Sequence, residues 1–110
     1  MKWIVRTVNS DAEEELKSLP SDLKAKFLRV SELIETLGPM RVGMPHVKFL
    51  GNKLWEMRLK GRTGISRSIF IIVTGKEVVI LNTFIKKTQK TPTKELNLAK
   101  ERLKRWKNEK

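Results

Sequence analysis

From Leu54 to Thr91 the chain reads L-W-E-M-R-L-K-G-R-T-G-I-S-R-S-I-F-I-I-V-T-G-K-E-V-V-I-L-N-T-F-I-K-K-T-Q-K-T. Trp55, Met57 and Leu59 alternate with Glu56 and Arg58, which predicts a strand with one apolar and one charged face. Two further runs, Ser68 to Val73 and Val78 to Leu81, are almost continuously apolar and β-branched. Such runs fit strands buried on both faces. Gly75-Lys76 between them reads as a hairpin turn. The last strand runs into Lys86, Lys87 and Lys90, so cations stand at the end of a rigid sheet, a platform for handling phosphate.

Upstream, Lys2 to Val8 reads as a short strand, and Ser10 to Glu13 has the form of a capping box opening a short helix. Pro20 ends that pattern, and Ser21 is placed to cap a second helix. Its stripe of Leu23, Phe27, Val30, Ile34 and Leu37 steps by three and four residues and stops at Gly38-Pro39. The two helices form a hairpin whose apolar side can cover the sheet. Met40 to Pro45 reads as a loop, and Val47 to Leu50 as an edge strand turning through Gly51-Asn52. Downstream, Thr91-Pro92 suits an N-cap and first helical position. Leu96, Ala99, Leu103 and Trp106 then mark a terminal helix whose other face carries Lys100, Arg102, Lys104, Arg105 and Lys107. The expected fold is a single α+β domain over residues 1–110: N-terminal strand, helical hairpin, mostly antiparallel sheet of four or five strands, C-terminal helix.

Composition narrows the chemistry. There is no cysteine and one histidine, so thiolate and multi-histidine metal sites are excluded, and no cofactor is expected. No apolar run approaches the ~20 residues of a membrane span, and no signal-peptide pattern opens the chain, so a cytoplasmic protein without membrane contact is expected. The net charge is +12. Residues 1–57 carry nine Lys/Arg and eight Asp/Glu, whereas residues 58–110 carry fifteen and four. A positive field concentrated in one half attracts polyanions, although a solvated lysine-rich surface has the same composition.

The element order, L-W-E-M-R at 54–58, the Arg67-Ser-Ile-Phe strand and the segment V-I-L-N-T-F-I-K-K-T-Q-K-T-P-T-K-E-L at 79–96, continued by Ala99 and Arg102, give a resemblance over essentially the whole chain. The chain resembles the RelE/ParE superfamily of toxins from type II toxin–antitoxin systems, and more closely its phage-derived HigB-like branch. The resemblance implies a fold like that of microbial ribonucleases and a toxin that cuts messenger RNA on the ribosome without a metal. It also implies a cognate antitoxin, a helix-turn-helix protein of the HigA kind. Relatives that instead poison DNA gyrase, like ParE, and a plain nucleic-acid binder are the alternatives. By position, the resemblance places Arg58, Arg67, Lys86, Lys87 and Lys90 among the functional cations. In two respects the chain departs from the pattern. Glu56 stands where RelE has a lysine, and there is no tyrosine to stack on or activate a substrate.

Cleavage of RNA through its 2′-oxygen needs a base, cations on the phosphorane and a proton for the leaving 5′-oxygen. Arg58 and Arg67 suit the clamp, because guanidinium binds phosphate in a bidentate way. Glu56 shares a strand face with Arg58 and is a candidate base, or simply a partner for Arg58 or Lys60. Lys87 or Lys90 is the candidate acid, and Phe70 or Phe84 can stack on a base. Lys48, Lys53, Lys60, Arg62, Lys86, Lys100, Lys104 and Lys107 are read as contacts to RNA and ribosome. His46 lies in a proline-containing loop and reads as incidental, and Trp55 and Trp106 as core anchors.

Overall fold

The structure is a computed structural model that describes residues 2–87 and 90–109. The order is β1 (Ile4–Thr7), α1 (Ser10–Lys17), α2 (Ser21–Leu37), α3 (Pro39–Val42), β2 (Val47–Gly51), β3 (Leu54–Lys60), β4 (Ile65–Val73), β5 (Glu77–Ile85) and α4 (Thr93–Asn108). The strands form one sheet in the order β1-β5-β4-β3-β2. All neighbours are antiparallel except β1, which runs parallel to β5. The expected α+β fold is therefore the observed one, with β4 and β5 inside the sheet and β2 at an edge.

Alternation on the strands builds two cores. Val30 and Ile34 of α2 pack with Val47, Met57, Leu59, Phe70, Val78 and Ile80 on one face. Leu96, Ala99, Leu103 and Trp106 of α4 pack with Leu54, Ile69, Ile71, Val79 and Leu81 on the other. Two-sided cover is why the inner strands read as unbroken apolar runs. β5 carries a bulge: Ile69 pairs with Asn82 and Phe70 with Ile80, leaving Leu81 between them. The extra residue keeps Leu81 on the α4 side, where Asn82 also donates to the backbone and carboxylate of Glu95. That bond pins the first turn of α4 to the sheet.

Several local expectations are corrected. The N-cap of α1 is Asn9, whose side chain accepts from the Ala12 amide, so Ser10 is the first helical residue. Pro20 occupies the cap position of α2 and Pro92 that of α4, neither with a side-chain bond, so Ser21 and Thr91 are not caps. The stretch expected as a loop after Gly38 contains the short helix α3. The β2–β3 turn is Asn52-Lys53, both at positive φ, one residue later than expected. Gly75 and Lys76 turn β4 into β5 as expected, again with both φ positive.

Arg102 leaves the exposed basic face that the sequence assigned to it. It is 9% exposed, meets the Glu15 carboxylate with both terminal nitrogens at 2.8–3.0 Å, and donates to the Leu81 carbonyl. Glu15 also accepts from the Thr83 amide. This partly buried fork ties α1, β5 and α4 together. Trp3 is half-buried against the α2-side core, and a Cβ at Gly38 would come within 2.8 Å of its Nε1. Only glycine lets that ring close over the end of α2.

Candidate active site

Because α4 starts at Thr93, it covers only part of its sheet face, and the rest is occupied by charged side chains. On β3, Glu56 and Arg58 share the face that Leu54 begins. Across the ladder, Glu56 is opposite Ile69 and Arg58 is opposite Arg67. One strand further, Arg67 is opposite Phe84. Two guanidinium-bearing residues thus stand side by side.

Arg67 and Glu56 are far more enclosed than their types suggest, at 5% and 2% exposure. Arg67 Nη1 lies 3.3 Å from Glu56 Oε2. The Thr91 hydroxyl completes a triangle: it donates to Glu56 Oε2 at 2.6 Å and accepts from Arg67 Nη1 at 2.8 Å. Glu56 therefore pairs with Arg67 and Thr91, not with Arg58 or Lys60. Its carboxylate faces its own protein partners, an arrangement that fixes the Arg67 guanidinium more directly than it offers a base to a substrate. Thr91 was legible only as a helix cap; its hydroxyl reaches a carboxylate 35 residues away.

Lys86 joins the same group. Its amide donates to the Ile65 carbonyl at 2.7 Å, which extends the β4–β5 pairing beyond the last strand residue. Its ammonium is pushed below the ordinary lysine value, first by desolvation and then by Arg67 and Arg58, with Glu56 opposing. Three cationic residues thus act on one another across one patch. Lys87 is exposed beside the patch, and Lys90 is exposed just before Thr91. Of the two candidate stacking residues, Phe84 is half-buried opposite Arg67, whereas Phe70 is fully buried in the α2-side core and cannot reach a base.

The remaining cations divide by place. Lys48 is exposed on β2 opposite Glu56, on the side of Arg58. Lys60 ends β3, and Arg62 is exposed in the following turn. Lys53 lies at the other end of β3, where it and Lys107 line a hollow with Leu103 and Trp106. Lys100 and Lys104 are exposed on α4. Trp106 is half-buried on the α4 core with Arg6 at 5.7 Å from its ring, and Trp55 lies between Phe49 and Phe70. Both serve packing, as expected.

Beside Arg58 the surface opens into a cleft of about 330 Å³ lined by Lys26, Pro45, His46, Arg58, Lys60 and Ile65. His46 is brought there because its carbonyl accepts from the Arg58 amide at 2.7 Å, an extension of the β2–β3 pairing. Lys26 is brought there by a clasp one helical turn earlier. Asp22 accepts from the Thr63 amide at 2.9 Å and the Thr63 hydroxyl at 2.6 Å, which holds the β3–β4 turn against α2. A Cβ at Gly61 would strike the Asp22 carboxylate, so this approach requires glycine. These two hydrogen bonds, the hydroxyl first, hold the Asp22 carboxyl below its ordinary value.

A sequence profile of the family described as phage-derived protein Gp49-like (DUF891) matches residues 14–104. No curated protein sequence matches the chain. Among solved structures, the chain is similar to the E. coli toxin RelE in the free state, determined as a mutant with two arginines replaced by alanine. The TM-score is 0.63 at 14% identity, covering 96% of this chain and 98% of that one. It is also similar to the archaeal RelE–RelB complex from Pyrococcus horikoshii OT3, with a TM-score of 0.56 at 25% identity, covering 77% of this chain and 96% of that one. The fold is that of RelE.

Proposed function

The chain belongs to the phage-derived Gp49-like family, and from that premise we propose that it is the toxin of a toxin–antitoxin pair, acting as a ribosome-dependent endoribonuclease on messenger RNA. The observation that carries this reading is the patch formed by Arg58, Arg67 and Lys86, with Arg67 held by Glu56 and Thr91. Concentrated cations that repel one another are stabilised when a phosphate arrives, and more so when it becomes a dianionic phosphorane.

In this mechanism water takes the proton of the 2′-hydroxyl as the 2′-oxygen attacks phosphorus and the bond to the 5′-oxygen breaks, while Arg58 and Arg67 clamp the non-bridging oxygens. We assign Glu56 to orienting Arg67. Lys86 donates the proton to the leaving 5′-oxygen, because desolvation and its two arginine neighbours make its ammonium a stronger acid than ordinary lysine. Lys87 and Lys90 adjoin that position on the same segment and hold the strand downstream. Phe84 offers a ring to a base without being able to donate a proton. The exposed cations of α4 and of the β2–β3 region serve ribosome contact, which puts the working protein in the cytoplasm.

The partner in the archaeal complex is RelB, and a dedicated antitoxin is proposed here as well, a helix-turn-helix protein of the HigA kind that covers cationic surface with acidic or polar groups. The deciding experiment maps messenger RNA 5′-ends after brief induction of the protein. New ends within translated codons, absent for Arg58→Ala, support the reading. Growth arrest without new ends but with loss of gyrase supercoiling would transfer the protein to the ParE-like class.

A further inference from the structure

The cleft beside Arg58 gathers three cations around ring and aliphatic surface. Lys26, Arg58 and Lys60 supply its charge from α2 and β3, and Pro45, His46 and Ile65 supply ring and aliphatic surface. No carboxylate lines it, and none of the three cations is ion-paired among the described residues. The acidic group nearest in sequence to Lys26 on α2, Asp22, is spent on Thr63. Cations gathered around a concavity without acidic relief repel one another, and an anion removes that cost. At about 330 Å³ the cleft falls within the ~300–1,000 Å³ range of ligand pockets. Cationic walls beside a flat, partly apolar surface match one nucleotide, with phosphate on the first and base against the second.

We infer that this cleft is a second RNA subsite, which takes the nucleotide next to the scissile phosphate: its phosphodiester on Lys26 and Lys60, its base on the His46 ring and Pro45. Arg58 lines the cleft and also stands opposite Arg67, so the two sites share one guanidinium and an RNA strand passes from one to the other. His46 acts here as a stacking and positioning residue. The inference rests on the RNA-cleaving reading for the identity of its ligand, while its binding test does not require cleavage.

The probe is a fully 2′-O-methylated RNA hexamer pool, which cannot be cut through its 2′-oxygen, with affinity followed by fluorescence anisotropy at several salt concentrations. Lys26→Ala is expected to weaken binding about fivefold to tenfold and to reduce the slope of log affinity against log salt by ~0.7. Lys26→Arg should restore both, and Lys26→Glu should weaken binding beyond Lys26→Ala. His46→Ala should lower affinity by a similar factor with an unchanged salt slope, because it removes stacking and not charge, and His46→Phe should recover it. Lys76→Ala, in the β4–β5 turn, is the control and should bind as the wild type.

Thermal melting of each variant separates loss of binding from loss of fold. Binding by folded Lys26→Ala and His46→Ala equal to the wild type overturns the subsite, even if the protein cleaves messenger RNA. Loss of binding in both, in a protein that generates no new messenger RNA ends, keeps the subsite and removes the nuclease reading.

Discussion

Arg58 and Arg67 are direct cross-strand partners on the same face of the β3–β4 ladder. Like charges placed so are destabilising, where an opposite-charge pair gains roughly 0.2–1 kcal/mol. Only one of the two is compensated by an ion pair among the described residues: Arg67 has Glu56, with Thr91 beside it, and Arg58 has none. The compensated arginine is held rigid, and the other is left for an outside anion.

Removing these arginines has different consequences. Arg58→Ala should lower messenger RNA cleavage about 100-fold, on the order of 3 kcal/mol of transition-state stabilisation, with unchanged or slightly raised thermal stability. Arg67→Ala should abolish cleavage and also destabilise the fold by about 3–5 kcal/mol, because it strands the buried Glu56 carboxylate. Burial of the Glu56–Arg67 ion pair is what separates the two changes. Parallel cleavage assays and denaturant melts check both, and wild-type cleavage by Arg58→Ala would remove the clamp.

Glu56→Gln distinguishes an orienting carboxylate from a base. An amide oxygen can still accept from Thr91 and Arg67, so an orienting role predicts a loss of roughly tenfold or less. A general base predicts at least about 100-fold. Thr91→Val, which removes the hydroxyl and keeps the volume, should cost about 1–3 kcal/mol in a urea melt, since it withdraws a hydrogen bond from a buried charge.

As the proposed acid, Lys86 should set the alkaline limb of activity. Its folded-state pKa is depressed, so it loses its proton below the ordinary lysine value of ~10.4. Cleavage should fall across that lower range as the acid is lost. Stability should move the opposite way, rising with pH there, because the unfolded chain binds the extra proton. Lys86→Arg should be slow and lack this limb. A pH–rate profile in which Lys86→Arg keeps the same limb would assign the proton to another group.

The Asp22–Thr63 clasp predicts an acid response. The Asp22 pKa is lowered in the fold, so its contribution is complete above the unfolded value of ~3.9 and is lost as pH falls through the lower folded value. Wild type should exceed Asp22→Asn in melting temperature at neutral pH, and the gap should close as pH falls below the ordinary aspartate range. A gap independent of pH would show that the clasp does not depend on the carboxylate charge.

The exposed lysines of α4 should govern ribosome affinity more than catalysis. Replacing Lys100, Lys104 and Lys107 together by alanine should flatten the salt dependence of ribosome binding, by about 0.7–0.9 in slope for each phosphate that no longer meets a lysine, with the fold unchanged. An unaltered slope in sedimentation assays would move the binding face to Lys48, Lys60 and Arg62.

The strands, the helices and the faces they bury follow from the order of residues along the chain. Period-two and three–four stepping are local consequences of backbone geometry, and they suffice to put Glu56 and Arg58 on one face of their strand, which Arg67 joins through the β3–β4 register. Local spacing also exposed the excess of charge in the second half. It did not reveal which charges are spent. Arg102 read as one more exposed cation and is buried on Glu15, 87 residues away. Thr91 read as a cap and closes on Glu56. Lys26 and His46 carried no distinguishing pattern, and they meet Arg58 because the Asp22–Thr63 clasp and the β2–β3 pairing bring three elements to one cleft. Such pairings depend on which chain segments pack together. Burial then decides between partner and solvent for each charge, because a desolvated ion without a partner costs several kcal/mol.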